Sequence, residues 1–226
     1  MNAIILAAGM GTRLRPLTNE IPKCLVKVNG EAMVERQIKF LKEKGIEDIT
    51  LVSGYKAEAL DYLKGKYGVD IVFNEKYDVC NNIWSMVKVL DRFGDTYVLE
   101  GDVYMQSNCL RTDLTTSLYF AVNKTYENEW GLEVDDKMRL QKVNIGSGNG
   151  FIMSGLSYWT KDDGSIIINE IERLVDSEDY VNLFWDNAVI NIHKKLNISI
   201  VATDSLNEID TISELKELEE KIKDGK

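Results

Sequence analysis

The chain has 226 residues, of which 44% are hydrophobic and 28% are charged, and its formal net charge is −10. This length predicts one large domain with a sizeable core, and the negative charge disfavours binding to nucleic acid or to an anionic membrane. The three scattered cysteines form no metal-binding or disulfide pattern, and no apolar run resembles a signal peptide or spans a bilayer, so a cytoplasmic protein is predicted.

A short apolar strand followed by a glycine loop opens the chain. Residues 3–7 are predicted to form a buried parallel strand. Gly9 and Gly11 follow it and allow the backbone to turn sharply close to a ligand. Backbone N–H groups in such a loop, with Arg13 and Lys23 nearby, suit an anion, so the segment predicts a phosphate site.

The loop matches neither of two common phosphate-binding patterns. A dinucleotide fingerprint needs a third glycine where Leu14 stands, and no P-loop run occurs. What remains is a strand, G-x-G-T-R at 9–13 and Pro-Lys at 22–23, which resembles the signature of nucleotidyltransferases. The resemblance implies that the two glycines and the arginine hold a nucleoside triphosphate and that the lysine lies near its α-phosphate.

Strands and helices alternate through the first half of the chain. Periodicity predicts helices at 31–44, 57–67 and 83–90 and strands at 48–52, 69–73 and 95–99. This alternation implies a parallel sheet with right-handed crossovers, whose ligands gather at the carboxyl ends of the strands.

The pattern changes after Asp113. Strands are predicted at 117–123, 131–134, 138–145 and 151–158, with Glu129 and Trp130 in one turn and 146–150 in another, followed by helices at 165–175, 185–195 and 212–223 and a strand at 198–202. This pattern predicts an α/β fold, and the resemblance to nucleotidyltransferases implies that the fold is Rossmann-like and of the nucleotide-diphospho-sugar transferase type. It has a mixed, mainly parallel sheet, flanking helices and a β-rich substrate lobe. The prediction is a single domain, 1–226, with a nucleotide half of about 1–113 and a substrate half of about 114–226.

Two aspartates are placed to hold a metal ion. Asp102 follows the fourth strand, and Asp210 lies just before the last helix. Nucleotidyl transfer needs charge neutralisation as pyrophosphate leaves, usually by Mg²⁺ held on carboxylates. The structural alternatives are a turn residue for Asp102 and an N-terminal helix cap for Asp210. The sequence leaves the roles of Glu100 and Glu208 open. Each either supports the metal, faces a cationic substrate or lies in solvent.

Aromatic residues and acids occur together in the second half of the chain. Glu129 precedes Trp130, Trp185 precedes Asp186, and Tyr180 lies close by. Aromatic faces with carboxylates suit a cation, above all a quaternary ammonium group. Packing in the core is the alternative for each tryptophan.

These segments narrow the resemblance to the bacterial CTP:phosphocholine cytidylyltransferases of the lic type. It is carried by 4–9, 81–85, 128–130, 185–187 and 208–210. It implies transfer of a cytidylyl group from CTP to phosphocholine with Mg²⁺, giving CDP-choline and pyrophosphate. The attacking phosphate is largely ionised near neutral pH, so no protein base is needed. The choline group would lie against Trp130, Trp185 and Asp186, with Glu129 and Tyr180 as further candidates.

The predicted nucleotide-binding residues lie in the first loop and at the ends of the next strands, namely Ala7, Ala8, Gly9, Gly11, Thr12, Ser53, Gly54, Asn82 and Ser85. Three alternatives remain: a sugar-1-phosphate nucleotidyltransferase using UTP or dTTP, a cytidylyltransferase for another phosphorylated or phosphonylated amine, and a non-catalytic nucleotide sensor. All of them take small molecules as partners.

Overall fold

The structure, a computed structural model, describes residues 1–177 and 179–225. The helices are α1 (Met33–Glu43), α2 (Tyr62–Tyr67), α3 (Ile83–Val87), α4 (Lys161–Val175), α5 (Asp186–Ile192) and α6 (Ile212–Lys223). The strands are β1 (Asn2–Ala7), β2 (Lys27–Val28), β3 (Glu31–Ala32), β4 (Ile49–Ser53), β5 (Asp70–Phe73), β6 (Thr96–Glu100), β7 (Val103–Met105), β8 (Ser117–Val134), β9 (Leu140–Trp159), β10 (Ile198–Ala202) and β11 (Leu206–Glu208).

A seven-stranded sheet in the order β10-β8-β9-β6-β1-β4-β5 forms the framework. β1 lies between β4 and β6, and all three run parallel, as do β4 with β5 and β8 with β10. β9 runs antiparallel to both of its neighbours. The predicted mixed, mainly parallel sheet with flanking helices is confirmed, while the division into a nucleotide half and a substrate half stays a prediction.

β1 is apolar throughout because both faces of the sheet are covered. Ile5 packs into the cluster that contains Ile38 of α1, whereas Ile4 packs into the opposite cluster with residues of α3, α4 and α5. A strand buried on both faces reads as a continuous apolar run, which is the signal that predicted it.

The glycine-rich segment 146–150 is not a turn, contrary to the prediction. It lies inside β9, and Glu129 and Trp130, also predicted in a turn, lie inside β8 opposite Gly146 and Ile145. The two strands form one long, irregular hairpin. A Cβ atom on Gly131 or Gly148 would come within 2.1 or 2.8 Å of the Tyr126 hydroxyl, so a larger residue at either position would force this ring to shift.

Several helix boundaries also differ from the predicted ones. The predicted helix at 57–67 is a 3₁₀ turn at Ala57–Leu60 followed by α2, and that at 185–195 is α5 followed by a 3₁₀ turn. α4 begins four residues earlier than predicted because Thr160 caps it, its hydroxyl accepting the backbone N–H of Asp163.

Two three-residue strands that the sequence did not predict bring distant segments together. β7 pairs antiparallel with β11, with Val103 opposite Glu208, and the N–H of Ile209 donates to the carbonyl of Asp102 at 3.1 Å. This pairing places the residues after β6 beside those before α6. No helix in the described part of the chain is long and apolar enough to cross a bilayer.

Candidate active site

A cleft of about 510 Å³ opens at the carboxyl ends of β1 and β6. It is lined by most of the predicted site residues: Ala7, Ala8, Gly9, Gly11, Thr12, Arg13, Lys23, Asn82, Ser85, Asp102, Glu129, Trp130, Trp185, Asp186 and Asp210. The topology explains this gathering, because the carboxyl ends of adjacent parallel strands meet at one edge of the sheet.

The glycine loop is folded tightly against the segment that carries Lys23. Gly11 has φ 58°, and a Cβ atom there would lie 2.9 Å from the Cβ of Lys23. The carbonyl of Gly11 accepts the hydroxyl of Thr18 at 2.8 Å. Glycine is therefore required at this position both for its conformation and for the close approach of Lys23.

Lys23 lies between the two aspartates predicted to hold a metal. Its Nζ is 2.5 Å from Oδ2 of Asp102 and 2.6 Å from Oδ1 of Asp210. Arg13 adds a second cation 2.7 Å from the same oxygen of Asp210. Burial disfavours the charged form of Lys23, but the carboxylates outweigh it and raise its pKa above the ordinary value.

Asp102, Asp210 and Glu208 form a set of carboxylates suited to a metal ion. One oxygen from each lies within 4.8 Å of the others. Hard cations such as Mg²⁺ take oxygen ligands of this kind, and the ammonium group of Lys23 already marks a position for positive charge between the aspartates. Partial removal from water, together with repulsion from Asp102 and Asp210, raises the pKa of Glu208 to about 8.

Aromatic rings and acids line another part of the same cleft. The rings of Trp130 and Phe184 meet edge to face, with centroids 5.9 Å apart, and Phe184 is 43% exposed. Glu129 and Asp186 line the cleft as well. Exposed ring faces with carboxylates suit an organic cation.

The carboxyl group of Asp186 is held from inside the protein. Its Oδ1 accepts a hydrogen bond from the hydroxyl of Tyr119, a buried residue of β8. Burial raises the pKa of Asp186 to about 6, so the group is mainly ionised at neutral pH.

Trp185 forms part of the cleft wall but does not offer an open face. It is 2% exposed and meets the rings of Phe93 and Trp159 edge to face at 6.3 and 5.9 Å. Its indole N–H donates to Glu100 at 3.3 Å. The core-packing alternative therefore describes Trp185 better than a direct cation contact does.

Asn82 links Glu100 to the segment that carries Trp185. Its Nδ2 donates to Glu100 at 3.0 Å, and its Oδ1 accepts the backbone N–H of Trp185 at 2.9 Å. Burial, followed by repulsion from Asp102 and Asp186, raises the pKa of Glu100 well above its ordinary value. Both ends of the Asn82 amide are thus engaged within the protein, while its predicted role in reading the base stays a prediction.

Three predicted site residues lie outside the cleft lining. Ser53 is 1% exposed, and its hydroxyl donates to the carbonyl of Val72. Gly54 packs closely against Tyr77 and Ala8, since a Cβ atom there would lie 2.5 Å from the Cβ of Tyr77 and 2.7 Å from the carbonyl oxygen of Ala8. Tyr180 accepts a hydrogen bond from Lys76 at 3.1 Å, and the same ammonium group stacks on Trp84.

The structure also adds residues to the cleft that the sequence did not identify. Phe184 adjoins the predicted Trp185–Asp186 pair, so the aromatic and acidic clustering contained a signal for it. The sequence contained no such signal for Tyr119, because an aromatic residue inside an apolar strand has the same pattern as a residue of the hydrophobic core. Glu100 and Glu208, left open by the sequence, both line the cleft.

Comparison with known proteins agrees with this geometry. Residues 2–136 match the family model described as nucleotidyl transferase. Choline-phosphate cytidylyltransferase of Streptococcus pneumoniae is 43% identical over 99% of both chains, and that of Haemophilus influenzae is 34% identical over 100% of this chain and 99% of the relative. A 2-aminoethylphosphonate cytidylyltransferase of Lancefieldella rimae is 34% identical over 95% and 90%.

A solved structure leads to the same family. That of the CTP:phosphocholine cytidylyltransferase from Streptococcus pneumoniae superposes with a TM-score of 0.95 and covers 98% of both chains at 43% identity. The resemblance inferred from the glycine loop and the tryptophan-bearing segments is confirmed. The chain belongs to the nucleotidyl transferase family, and its whole length aligns with the choline-phosphate cytidylyltransferases within that family.

Proposed function

We propose that this protein transfers the cytidylyl group of CTP to phosphocholine, releasing CDP-choline and pyrophosphate. The observation that carries the proposal is the presence of two features in one cleft. The carboxylates and cations around Lys23 suit a metal-bound triphosphate, and the rings of Trp130 and Phe184 with the acid Asp186 suit a quaternary ammonium group. The end-to-end similarity to choline-phosphate cytidylyltransferases supports the same substrates.

The chemistry follows from this arrangement by alignment and charge neutralisation. A phosphate oxygen of phosphocholine attacks the α-phosphorus of CTP, the bond to the β-phosphate breaks, and pyrophosphate leaves with the electron pair. Arg13 and Lys23 are placed to neutralise the phosphates as charge develops, and the aromatic end of the cleft orients the attacking group.

Nucleotidyltransferases generally use a divalent metal, and we propose Mg²⁺ for this chain. Asp102 and Asp210, with Glu208 beside them, would hold it. When bound there, the ion would supply further positive charge to the triphosphate.

A related reaction, with 2-aminoethylphosphonate as acceptor, is the second candidate, since one relative of similar length carries that name. A primary ammonium group has N–H donors and needs acceptors, whereas a trimethylammonium group has none and is held by aromatic faces. The mutual packing of Trp130 and Phe184 therefore favours phosphocholine.

The test is a pyrophosphate-release screen. Four nucleoside triphosphates (CTP, UTP, dTTP and GTP) are each combined with Mg²⁺ and with phosphocholine, phosphoethanolamine, 2-aminoethylphosphonate or glucose-1-phosphate. We expect CTP with phosphocholine to give the highest kcat/KM. A higher value with the sugar phosphate or with 2-aminoethylphosphonate would overturn the proposal, and the absence of pyrophosphate release in every combination would favour a nucleotide sensor.

Trp130→Ala provides the matched variant for the acceptor. It is expected to raise the KM for phosphocholine about tenfold or more and to leave the KM for CTP unchanged. Trp185→Ala is not suitable, because truncating a tryptophan that is 2% exposed destabilises the fold by about 3–5 kcal/mol.

A further inference from the structure

Tyr119 reaches the candidate active site from the middle of a buried strand. It lies in β8 opposite Ser157 of β9, and its side chain is 2% exposed. The residue lines the cleft, and its hydroxyl donates to Oδ1 of Asp186, which also lines it. Most side-chain hydrogen bonds in proteins are made to backbone or water, so a buried hydroxyl paired with a carboxylate inside a ligand cleft is a specific arrangement.

The ring of Tyr119 is held independently of its hydroxyl. It meets Trp159 edge to face with centroids 5.4 Å apart and an angle of 87°, and Trp159 in turn meets Trp185 at 5.9 Å and 89°. These contacts bury the ring in the core formed by α4 and α5. Removal of the oxygen alone therefore leaves the packing of the ring in place.

We propose that Tyr119 is a positioning residue for the amine substrate: its hydroxyl fixes the carboxylate of Asp186 toward the cleft, where that carboxylate faces the cationic group. The inference rests on the proposed function, since it assigns Asp186 to the cation of the acceptor. Tyr119 acts through Asp186 and does not need to touch the substrate.

The electrostatics of the pair support this role. Burial raises the pKa of Asp186, and the hydrogen bond from Tyr119 acts in the opposite direction by stabilising the carboxylate. Burial, followed by the nearby charge of Asp186, raises the pKa of Tyr119 well above 10, so the hydroxyl remains a donor at every working pH. Glu100 of β6 is a further ionisable group nearby: its charge contributes to raising the pKa of Tyr119, and the charge of Asp186 contributes to raising the pKa of Glu100.

The test is Tyr119→Phe, which removes one oxygen. At pH 7 we expect the KM for phosphocholine to rise about tenfold, as for the loss of a hydrogen bond to a charged group, with kcat and the KM for CTP within about twofold of the parent values. Without the hydrogen bond the pKa of Asp186 rises further. The rise of KM at acidic pH should then begin at a higher pH in the variant, and the defect should narrow at pH 8.5.

Tyr158→Phe is the matched control. Tyr158 is also buried, lies on the partner strand and donates its hydroxyl to a carboxylate, Asp95, at 2.7 Å, but neither residue lines the cleft. Its removal should reduce stability to a similar extent without changing the KM for phosphocholine or its pH profile. An equal effect of both variants on KM would show that Tyr119 has only a structural role and would overturn the inference.

Asp186→Asn separates this inference from the function on which it rests. If Asp186→Asn raises the KM for phosphocholine and Tyr119→Phe does not, the positioning role of Tyr119 is wrong and the proposed function stands. If Asp186→Asn leaves that KM unchanged, the assignment of the acceptor site is itself wrong. The acidic titration of phosphocholine, near pH 6, is common to all variants and cancels in the comparison.

Discussion

At the scale of single residues, the ammonium group of Lys23 lies where a metal ion would be held. It is 2.5 and 2.6 Å from the carboxylates of Asp102 and Asp210. A divalent ion bound to the same oxygens would have to displace the ammonium group. We expect Lys23→Met to lower the melting temperature in metal-free buffer, because removing one partner leaves like charges close together. For the same reason, Mn²⁺ alone should raise the melting temperature of this variant more than that of the parent.

Activity gives a second measurement on the same variant. Loss of a cation that neutralises developing phosphate charge is expected to lower kcat by about 10²–10³. Lys27→Met is the control, because Lys27 is exposed and pairs with no carboxylate among the ion pairs of the described chain. An identical response to Mn²⁺ in parent and Lys23→Met would contradict competition between the lysine and the metal.

Asp186 shows that the proposed acceptor site lowers stability. Its pKa is about 6 in the folded protein, above the usual 3.8. A raised carboxyl pKa means that the folded state binds the proton more tightly. Its contribution to stability is therefore fully present below pH 3.8 and is lost as the pH rises through about 6.

We expect Asp186→Asn to melt at a higher temperature than the parent at pH 8, with the difference shrinking toward pH 4. A difference of the same size at both pH values would show that ionisation of Asp186 is not its origin.

At the scale of elements, the hairpin of β8 and β9 carries Trp130 and was the largest error of the sequence analysis. Glycines at 146, 148 and 150 are typical of a turn, and local residue types alone predict one. The structure instead uses Gly131 and Gly148 to make room for the ring of Tyr126 between the two arms. Only the position of that ring in three dimensions shows why glycine is required there, so the sequence had no local signal for it.

Gly131→Ala tests whether this packing sets the position of Trp130. The new Cβ would lie 2.1 Å from the Tyr126 hydroxyl, so the ring must move and the arm must adjust. We expect the KM for phosphocholine to rise about fivefold with that for CTP unchanged. In the double variant Gly131→Ala/Tyr126→Ala the clash is absent, so its KM should match that of Tyr126→Ala alone. Asn149→Ala, an exposed change on the same arm, is the control. If Gly131→Ala raises the KM for phosphocholine by the same factor in the parent protein and in Tyr126→Ala, the steric explanation is wrong.

At the scale of the whole molecule, the sequence predicted the sheet and the cleft, and most of its predicted site residues line that cleft, because these features follow from signals that are local. The apolar run of β1, the glycine loop and the acids after β6 and before α6 each lie within a few residues. It did not predict what depends on tertiary contacts. Examples are the β7–β11 pairing that joins Asp102 to Asp210, the burial of the face of Trp185, and the placement of Tyr180 against Lys76 outside the cleft.

The cleft draws on both halves of the chain, and this leads to a prediction about binding. The glycine loop and Lys23, which we propose hold the triphosphate, come from the segment before residue 113, and the Trp130–Phe184 pair comes from the segment after it. In-line transfer requires both substrates to be bound at once. A CTP analogue with a non-cleavable α,β-linkage, combined with Mg²⁺ and phosphocholine, should therefore raise the melting temperature more than either ligand alone. At concentrations about 100 times Kd each ligand adds about 2.7 kcal/mol.

Asp210→Asn is the control for this measurement. It should lose most of the shift produced by the nucleotide analogue with Mg²⁺ and keep the shift produced by phosphocholine, because Asp210 contacts Arg13 and Lys23, whereas the proposed amine site is the Trp130–Phe184 pair. If the combined shift in the parent protein equals the larger of the two single shifts, the ligands compete for one position. Direct attack of one substrate on the other would then be impossible in this cleft, since the attacking phosphate and the α-phosphorus could never be present together.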